Sequence, residues 1–258
     1  MMSAVDQIIT EVLTLETALY HAYARLAART DGEALHDLRI NLRRLRSLLY
    51  PLRGKAGVAG LEEALSGVGK LTTPVRDLEV LIDELRRNGL TQAAKVRSRR
   101  LFSSYADIVE STVLHQLFVS LDEWPESFRA AEQRGELKQL NRLIARRLTM
   151  QVERLKAALV SPDHDPHRLR LLVKRVRYAT DAYPAYSSIS FKAVMVLKSV
   201  QSALGTWHDR YQWCRIAEQE PDLEALSRHW HAQANVALAQ VQTELARLAE
   251  LLPASTRT

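Results

Sequence analysis

The sequence predicts an all-α protein built from two related halves. Three observations support this fold class: apolar residues recur at helical spacing along nearly the whole chain, strong helix formers dominate, and one basic pattern occurs twice. Only 9 Gly and 8 Pro occur in 258 residues, which leaves little material for the many turns of an all-β protein. No segment shows the period-two alternation of a strand.

Gly, Pro and capping residues set the expected helix ends. Thr-Thr-Pro at residues 72–74 predicts an interruption of the third helix, because Thr before Pro is typical of a helix start. Gly-Thr at residues 205–206 predicts a second interruption, and we expect residues 125–135 to form a linker. The expected helices cover residues 4–29, 33–53, 59–87, 91–123, 136–160, 166–183, 190–219 and 223–252.

A basic helical pattern occurs once in each half, beginning at His36 and again 131 residues later at His167. In both copies the histidine is followed by cations at +3, +7, +8 and +10, and by apolar residues at +2, +6 and +9. A second pair of markers, Arg76-Asp77 and His208-Asp209, recurs at a spacing of 132. Two markers at nearly one spacing predict a duplicated unit, with repeat 1 over about 1–130 and repeat 2 over about 131–258.

On a helix, positions 0, +3, +7 and +10 fall within an arc of about 80° that borders the buried face. The first stripe is therefore His36, Arg39, Arg43 and Arg46, and the second stripe is His167, Arg170, Lys174 and Arg177. Neither stripe contains an acid, although like charges at this spacing destabilise an isolated helix. The pattern predicts an anion-binding site, and a solvated arginine-rich face is the alternative. A track of about 15 Å on each helix suits an extended polyanion better than a single phosphate.

At these residues the sequence resembles the CHAD family, the conserved histidine α-helical domain. The matching features are the His-x2-Arg-x3-(Arg/Lys)-Arg-x-Arg helix of each half and the later Arg-Asp and His-Asp pairs. The resemblance covers essentially the full chain and implies one stand-alone CHAD domain over residues 1–258. It implies two four-helix bundles related by a pseudo-two-fold axis, with a basic central groove or pore that binds inorganic polyphosphate. The family's early cation in the interrupted helix is present as Lys198, whereas the first half has Ser66 there and Lys70 one turn later.

The two stripes supply the expected phosphate contacts, because Arg and Lys form charge-assisted hydrogen bonds with phosphate oxygens. The two stripe histidines begin their helices, where backbone amides already favour anions, and a capping or packing role is the alternative. If they contact phosphate, binding should strengthen as pH falls through about 6.5. Asp77 and Asp209 are expected to orient arginines, or to be simple helix-terminal charges. Further candidate contacts are Arg44, Lys70, Arg76, Arg175, Lys198 and His208.

Other function classes have weaker support in the sequence. The single cysteine, Cys214, excludes an intrachain disulfide and a Cys-based zinc site. No P-loop, dinucleotide glycine fingerprint or His-Glu-x-x-His motif occurs, so we expect a non-catalytic binding module with no metal and no cofactor. Nucleic acid is the alternative partner, but aromatic residues make up only 6% and are not interleaved with the stripes. A metal-chelating helical module is a further alternative.

The charge and hydropathy pattern also bears on location. The net charge of +6 comes from 28 Arg and 8 Lys against 30 acids, so the cations are mostly the bidentate phosphate binders. No segment approaches the roughly 18–20 apolar residues of a membrane span. Residues 1–10 lack the basic stretch and apolar run of a signal peptide. We therefore expect a cytoplasmic protein, with polyphosphate granules as a candidate location.

Overall fold

The computed structural model describes residues 3–161 and 165–252, and none of these residues forms a strand. The prediction of an all-α fold is confirmed. Short 3₁₀ turns occupy Tyr50–Leu52, Pro184–Tyr186 and Pro221–Leu223. In the described residues the helices are α1 (Ala4–Ala28), α2 (Ala34–Leu49), α3 (Ala59–Arg87), α4 (Thr91–Val109), α5 (Thr112–Gln133), α6 (Leu140–Val160), α7 (Pro166–Ala182), α8 (Phe191–Ala217) and α9 (Glu224–Leu251).

Both predicted helix interruptions are wrong. Helix α3 continues through Pro74, and α8 continues through Gly205. A proline inside a helix removes one backbone hydrogen bond and crowds the preceding turn. In α3 the hydroxyls of Thr72 and Thr73 donate to carbonyl oxygens four residues earlier, at 2.8 and 2.7 Å. Burial of the apolar residues on both sides of Pro74 outweighs the lost backbone bond, so the helix stays continuous.

The helix expected over residues 91–123 is two helices, and the expected linker over 125–135 is wrong. The chain breaks before α5, where the Ser111 hydroxyl caps the helix by accepting a hydrogen bond from the Leu114 amide at 3.2 Å. Helix α5 then runs through Pro125. Trp124 donates from Nε1 to the Gly57 carbonyl at 2.6 Å and stacks on Phe128 at 4.4 Å, so packing holds the helix across the proline.

The helices form two compact units, and the chain passes from one to the other between Leu143 and Ile144. In the first unit, α1 packs on α2, and α3 packs on α2, α4 and α5. The first unit contains α1 to α5 and not the four helices of the expected bundle, because the segment expected to form one helix over residues 91–123 is divided between α4 and α5. In the second unit, α8 packs on α7 and on α9. The internal duplication, and the groove or pore that it implies, stay predictions.

The apolar positions that border each stripe are buried, as their spacing predicts. Leu38, Leu42 and Leu45 of α2 lie in the core of the first unit, and Leu169, Val173 and Val176 of α7 lie in the core of the second. Burial of one such side chain contributes about 1.5–3 kcal/mol. A like-charge pair one turn apart costs only about 0.2–0.5 kcal/mol. Core packing therefore holds each helix in place despite its row of cations.

No described helix is both long enough and apolar enough to cross a bilayer.

A buried carboxyl group joins α1 to α5 in the first unit. The Glu16 side chain is buried, and its Oε1 has no hydrogen-bond partner among the described residues. Burial, together with the hydrogen bond and charge of Asp122, raises the pKa of Glu16 to about 7. Asp122 is exposed and accepts a hydrogen bond from the Tyr20 hydroxyl at 3.4 Å, so it is the better solvated of the two carboxyl groups. The pair is therefore most stable while Glu16 carries its proton.

This pair makes the first unit sensitive to pH. A folded-state pKa above the unfolded value gives stability that is complete at low pH and is lost as pH rises from about 4.5 through about 7. We compare the unfolding free energy of Glu16→Gln with that of the parent protein at two pH values. From pH 5 to pH 8 this difference should change by about 1–2 kcal/mol in favour of the variant. Urea unfolding at both pH values measures this difference. Glu126→Gln, on the exposed side of α5, should show a constant difference, and a constant difference for Glu16→Gln would contradict the assignment.

Candidate anion-binding site

The first stripe lies along the side of α2 that faces α3. Arg39 donates from Nη1 to the hydroxyl oxygens of Thr72 at 2.8 Å and Thr73 at 3.1 Å. One turn earlier on α3, Gly69 leaves room for Arg46, because an added Cβ would lie 3.3 Å from Nη1 of that arginine. The α3 surface thus supports two stripe cations with hydroxyl groups and bare backbone. Neither kind of support neutralises a guanidinium charge.

Burial changes the electrostatics of the first stripe. It lowers the pKa of the Arg39 guanidinium, and the charge of Asp77 opposes that shift. Asp77 therefore supports the cation in the direction that an orienting carboxylate would. Burial lowers the pKa of His36 as well, and the positive charges of Arg76 and Arg43 lower it further. A bound anion would relieve this repulsion, so the arrangement favours a negatively charged ligand.

A buried network that the sequence reasoning missed holds Arg76. Its Nη1 pairs with Glu79 Oε2 at 2.8 Å, and the Tyr105 hydroxyl donates to Glu79 Oε1 at 2.5 Å. Glu79 is only 4% exposed, so the carboxylate is fixed between α3 and α4. Burial and the hydrogen bond to Glu79 raise the pKa of Tyr105, which keeps its proton on the shared bond. The Arg-x-x-Glu spacing on α3 could have indicated the ion pair, but nothing near Tyr105 in the sequence does.

The other side of α2 faces α1 and accounts for two remaining charges. Asp37, the one acid among the α2 basic residues, accepts a hydrogen bond from Arg25 Nη1 at 2.6 Å. Arg44 pairs with Glu11 at 3.5 Å, between exposed side chains. Both interactions are directed toward α1, whereas the first stripe is directed toward α3. Asp37 is thereby paired with Arg25, and the candidate contact Arg44 lies apart from the first stripe.

The second stripe lies on α7, along the side that faces α8. At its far end, Arg177 donates from Nη1 to Gln201 Oε1 at 2.9 Å, and its guanidinium carbon lies 5.0 Å from the ring centre of Tyr178. Gln201 in turn donates from Nε2 to the Tyr178 hydroxyl at 3.2 Å. Asp181 approaches the same guanidinium at 3.7 Å, while the buried Nε has no hydrogen-bond partner in the described chain. A neutral amide is thus the principal support of this cation.

Aromatic rings surround the histidine at the start of the second stripe. The ring centre of His167 lies 4.7 Å from that of Trp207, 5.2 Å from that of Tyr211 and 5.7 Å from that of His208. Its backbone amide donates to Asp165 Oδ1 at 2.9 Å, which caps α7. The predicted histidine therefore both begins its helix and packs on α8. The sequence reasoning did not anticipate Trp207 and Tyr211 as its neighbours.

His208 lies among the cations of the second stripe. Burial lowers its pKa to about 4, and the charges of Arg170, His167 and Lys174 lower it further. Its Nδ1 is buried, without a hydrogen-bond partner among the residues described. At neutral pH this imidazole is therefore uncharged. The structure places His208 closer to the stripe than its rank as a secondary candidate suggested.

The remaining predicted residues lie at the edges of the two arrangements. Asp209 is half-buried on α8. Lys70 on α3, Arg175 on α7 and Lys198 on α8 are exposed. Over residues 3–161 and 165–252, no group of three or more His, Cys, Asp or Glu side chains is placed to hold a metal ion. The groups that meet each stripe are chiefly neutral hydrogen-bonding side chains and further cations, which suits an anionic ligand.

Comparison with known proteins identifies a family and two solved structures that this chain resembles. The family model described as the CHAD domain matches residues 13–218. The crystal structure of the CHAD domain from the plant Ricinus communis superposes with a TM-score of 0.64 at 19% identity, covering 95% of this chain and 92% of that chain. PptA from Streptomyces chartreusis gives a TM-score of 0.62 at 19% identity, covering 94% of this chain and 99% of that chain. No curated protein matches. These two structures share the fold of this chain. Because the CHAD family model matches most of the 258 residues, the chain belongs to the CHAD domain family.

Proposed function

We propose that this protein binds inorganic polyphosphate through the first and second stripes and does not catalyse a reaction. The observation that carries the proposal is the way the stripe cations are supported. Arg39 donates to two threonine hydroxyls and Arg177 to a glutamine amide, and these neutral acceptors do not cancel a guanidinium charge. The carboxylate of Asp181 lies farther from Arg177, at 3.7 Å. The resemblance to the CHAD family supports the choice of ligand. Such binding would bring the protein to polyphosphate granules in the cytoplasm.

The binding mechanism is electrostatic. Successive stripe cations are three or four residues apart, which is about 4.5–6 Å along a helix axis. A linear polyanion can contact several of them at once, whereas a single phosphate reaches only one or two. Each contact releases counterions from the polymer, and a half-buried guanidinium such as Arg39 interacts more strongly with phosphate than a fully hydrated one. Affinity should therefore grow with chain length until the stripes are filled.

Neutral substitutions at equivalent stripe positions test the assignment. We expect the double variant Arg43→Gln/Lys174→Gln to bind polyphosphate at least about tenfold more weakly, because two phosphate contacts are lost. The plot of log affinity against log salt concentration should become less steep, with the magnitude of its negative slope lower by about 2. Fluorescence anisotropy with labelled polyphosphate across a salt series measures both quantities.

The chain offers a matched control for that variant. Arg44→Gln/Arg175→Gln removes the same charge from the adjacent positions, one of which faces α1 and the other of which is exposed. We expect this pair to change affinity by less than about threefold, since exposed charges off the track act only at a distance. Equal losses in the two double variants would show that binding depends on net charge and not on the stripes.

Chain length and competition separate polyphosphate from nucleic acid. We expect long polyphosphate to displace short polyphosphate, and to resist displacement by equal phosphate concentrations of duplex DNA or RNA at fixed salt. The reason is that the sequence does not interleave aromatic residues with the stripe cations, and the rings beside the second stripe lie at its ends, against His167 and Arg177. Competition binding at one salt concentration gives the order directly. Preferential binding of RNA or DNA would favour the alternative function.

A further inference from the structure

The two stripes differ in chemistry at the marker pair that follows them. In the first unit the residue is Arg76, which carries a permanent charge and is fixed by Glu79 at 2.8 Å. In the second unit it is His208, whose charge depends on pH and whose buried Nδ1 has no hydrogen-bond partner in the described chain. A buried, unpaired polar nitrogen costs free energy unless a partner arrives. This position therefore distinguishes the second stripe from the first.

The groups around His208 show what such a partner would be. From α7, the positive charges of Arg170 and Lys174 act on the imidazole, and the ring of His167 lies 5.7 Å away. On α8 itself, the half-buried Asp209 follows it directly. The surroundings supplied by α7 repel a proton but attract an oxyanion.

The α9 side of the second unit does not supply that partner. The polar contact that α9 makes with α8 is to another residue: Gln233 Oε1 accepts a hydrogen bond from Arg210 Nε at 3.2 Å. The amide nitrogen of Gln233 also lies 2.9 Å from His229 Nε2. The imidazole of His208 is placed beside the second stripe by its contact with the ring of His167, whereas Arg210 makes the polar contact with α9.

We propose that the His167–His208 end of the second stripe is a proton-coupled phosphate subsite, in which His208 takes up one proton from solvent when a phosphate group binds. The Nδ1–H of the resulting imidazolium donates to a phosphate oxygen, and Arg170 and Lys174 balance the remaining charge. No covalent bond forms or breaks. This subsite rests on the proposed polyphosphate function and adds a regulation to it, because binding there strengthens as the solution becomes more acidic.

The direction of the coupling follows from the electrostatics. In the unliganded protein, burial and the α7 cations hold the pKa of His208 down at about 4, so the group is neutral at pH 7. A phosphate seated among these cations cancels their repulsion and attracts a proton, which raises the pKa of His208 in the complex. By linkage, affinity must then rise as pH falls, by at most about tenfold per pH unit for one proton. At this position the first stripe has Arg76, and that residue makes no such contribution because its charge does not change with pH.

The pH profile of binding tests the subsite. We expect polyphosphate affinity of the parent protein to rise by about tenfold from pH 7.5 to pH 5.5 relative to His208→Gln, with the two proteins within about threefold at pH 7.5. The comparison with the variant removes the titration of the ligand's own terminal phosphates, whose second pKa is about 6. His231→Gln, an exposed histidine of α9, should follow the parent protein. Identical profiles for the parent protein and His208→Gln would overturn the subsite.

A second measurement separates this inference from the proposed function. The His208 ring is titrated by NMR in the parent protein, with and without inorganic phosphate, and its signal is assigned by its absence from His208→Gln. We expect bound phosphate to raise the pKa of His208 by about 2.5 units, because a smaller rise would not give a tenfold gain in affinity at pH 5.5. If polyphosphate binds and neither the pH profile nor the His208 titration responds, the subsite is wrong and the function stands. If polyphosphate does not bind but phosphate raises that pKa, the function is wrong and the subsite stands.

Discussion

In each basic stripe, neutral acceptors hold one guanidinium group against the next helix. Thr72 and Thr73 accept from Arg39, and Gln201 accepts from Arg177. A carboxylate in the same place would hold an arginine more tightly but would cancel most of its charge. A hydroxyl or amide orients the donor fork and leaves the positive field available to a ligand. Core packing beneath α2 and α7 makes this possible, because burial of leucine and valine outweighs the repulsion along each row.

The continuity of α3 is part of the same arrangement. If the helix restarted at Pro74, as the local sequence predicts, the two threonine hydroxyls would serve as caps. Instead α3 runs through the proline, and both hydroxyls donate back to carbonyl oxygens while they accept from Arg39. The local preference for a helix start is overridden by packing against α2 and α5. Thr72 and Thr73, whose sequence context is typical of a helix start, are thus part of the candidate site.

The two units differ in the charge that they place beside the stripe at the marker pair. In the first, a buried carboxylate shared with Tyr105 fixes Arg76, so the charge there is permanent. In the second, His208 is neutral and lies among cations with an unpaired nitrogen. A permanent cation and a latent one respond differently to the same ligand, since only the latter can bind a proton with it. The difference arises at the marker pair whose spacing suggested a duplication.

The sequence by itself determined the helical class, most helix bounds, the buried positions beside each stripe and the stripes themselves, because all of these follow from spacing along one helix. Only the tertiary structure decided which partners those residues meet. Arg39 reaches Thr72 33 residues later, Tyr105 reaches back 26 residues to Glu79, and Arg177 reaches Gln201 24 residues later. Helical periodicity says which side of a helix is buried, but not which helix packs there. For the same reason the expected breaks at Pro74 and Pro125 were wrong: a proline's local cost is visible in the sequence, whereas the packing that outweighs it comes from distant residues.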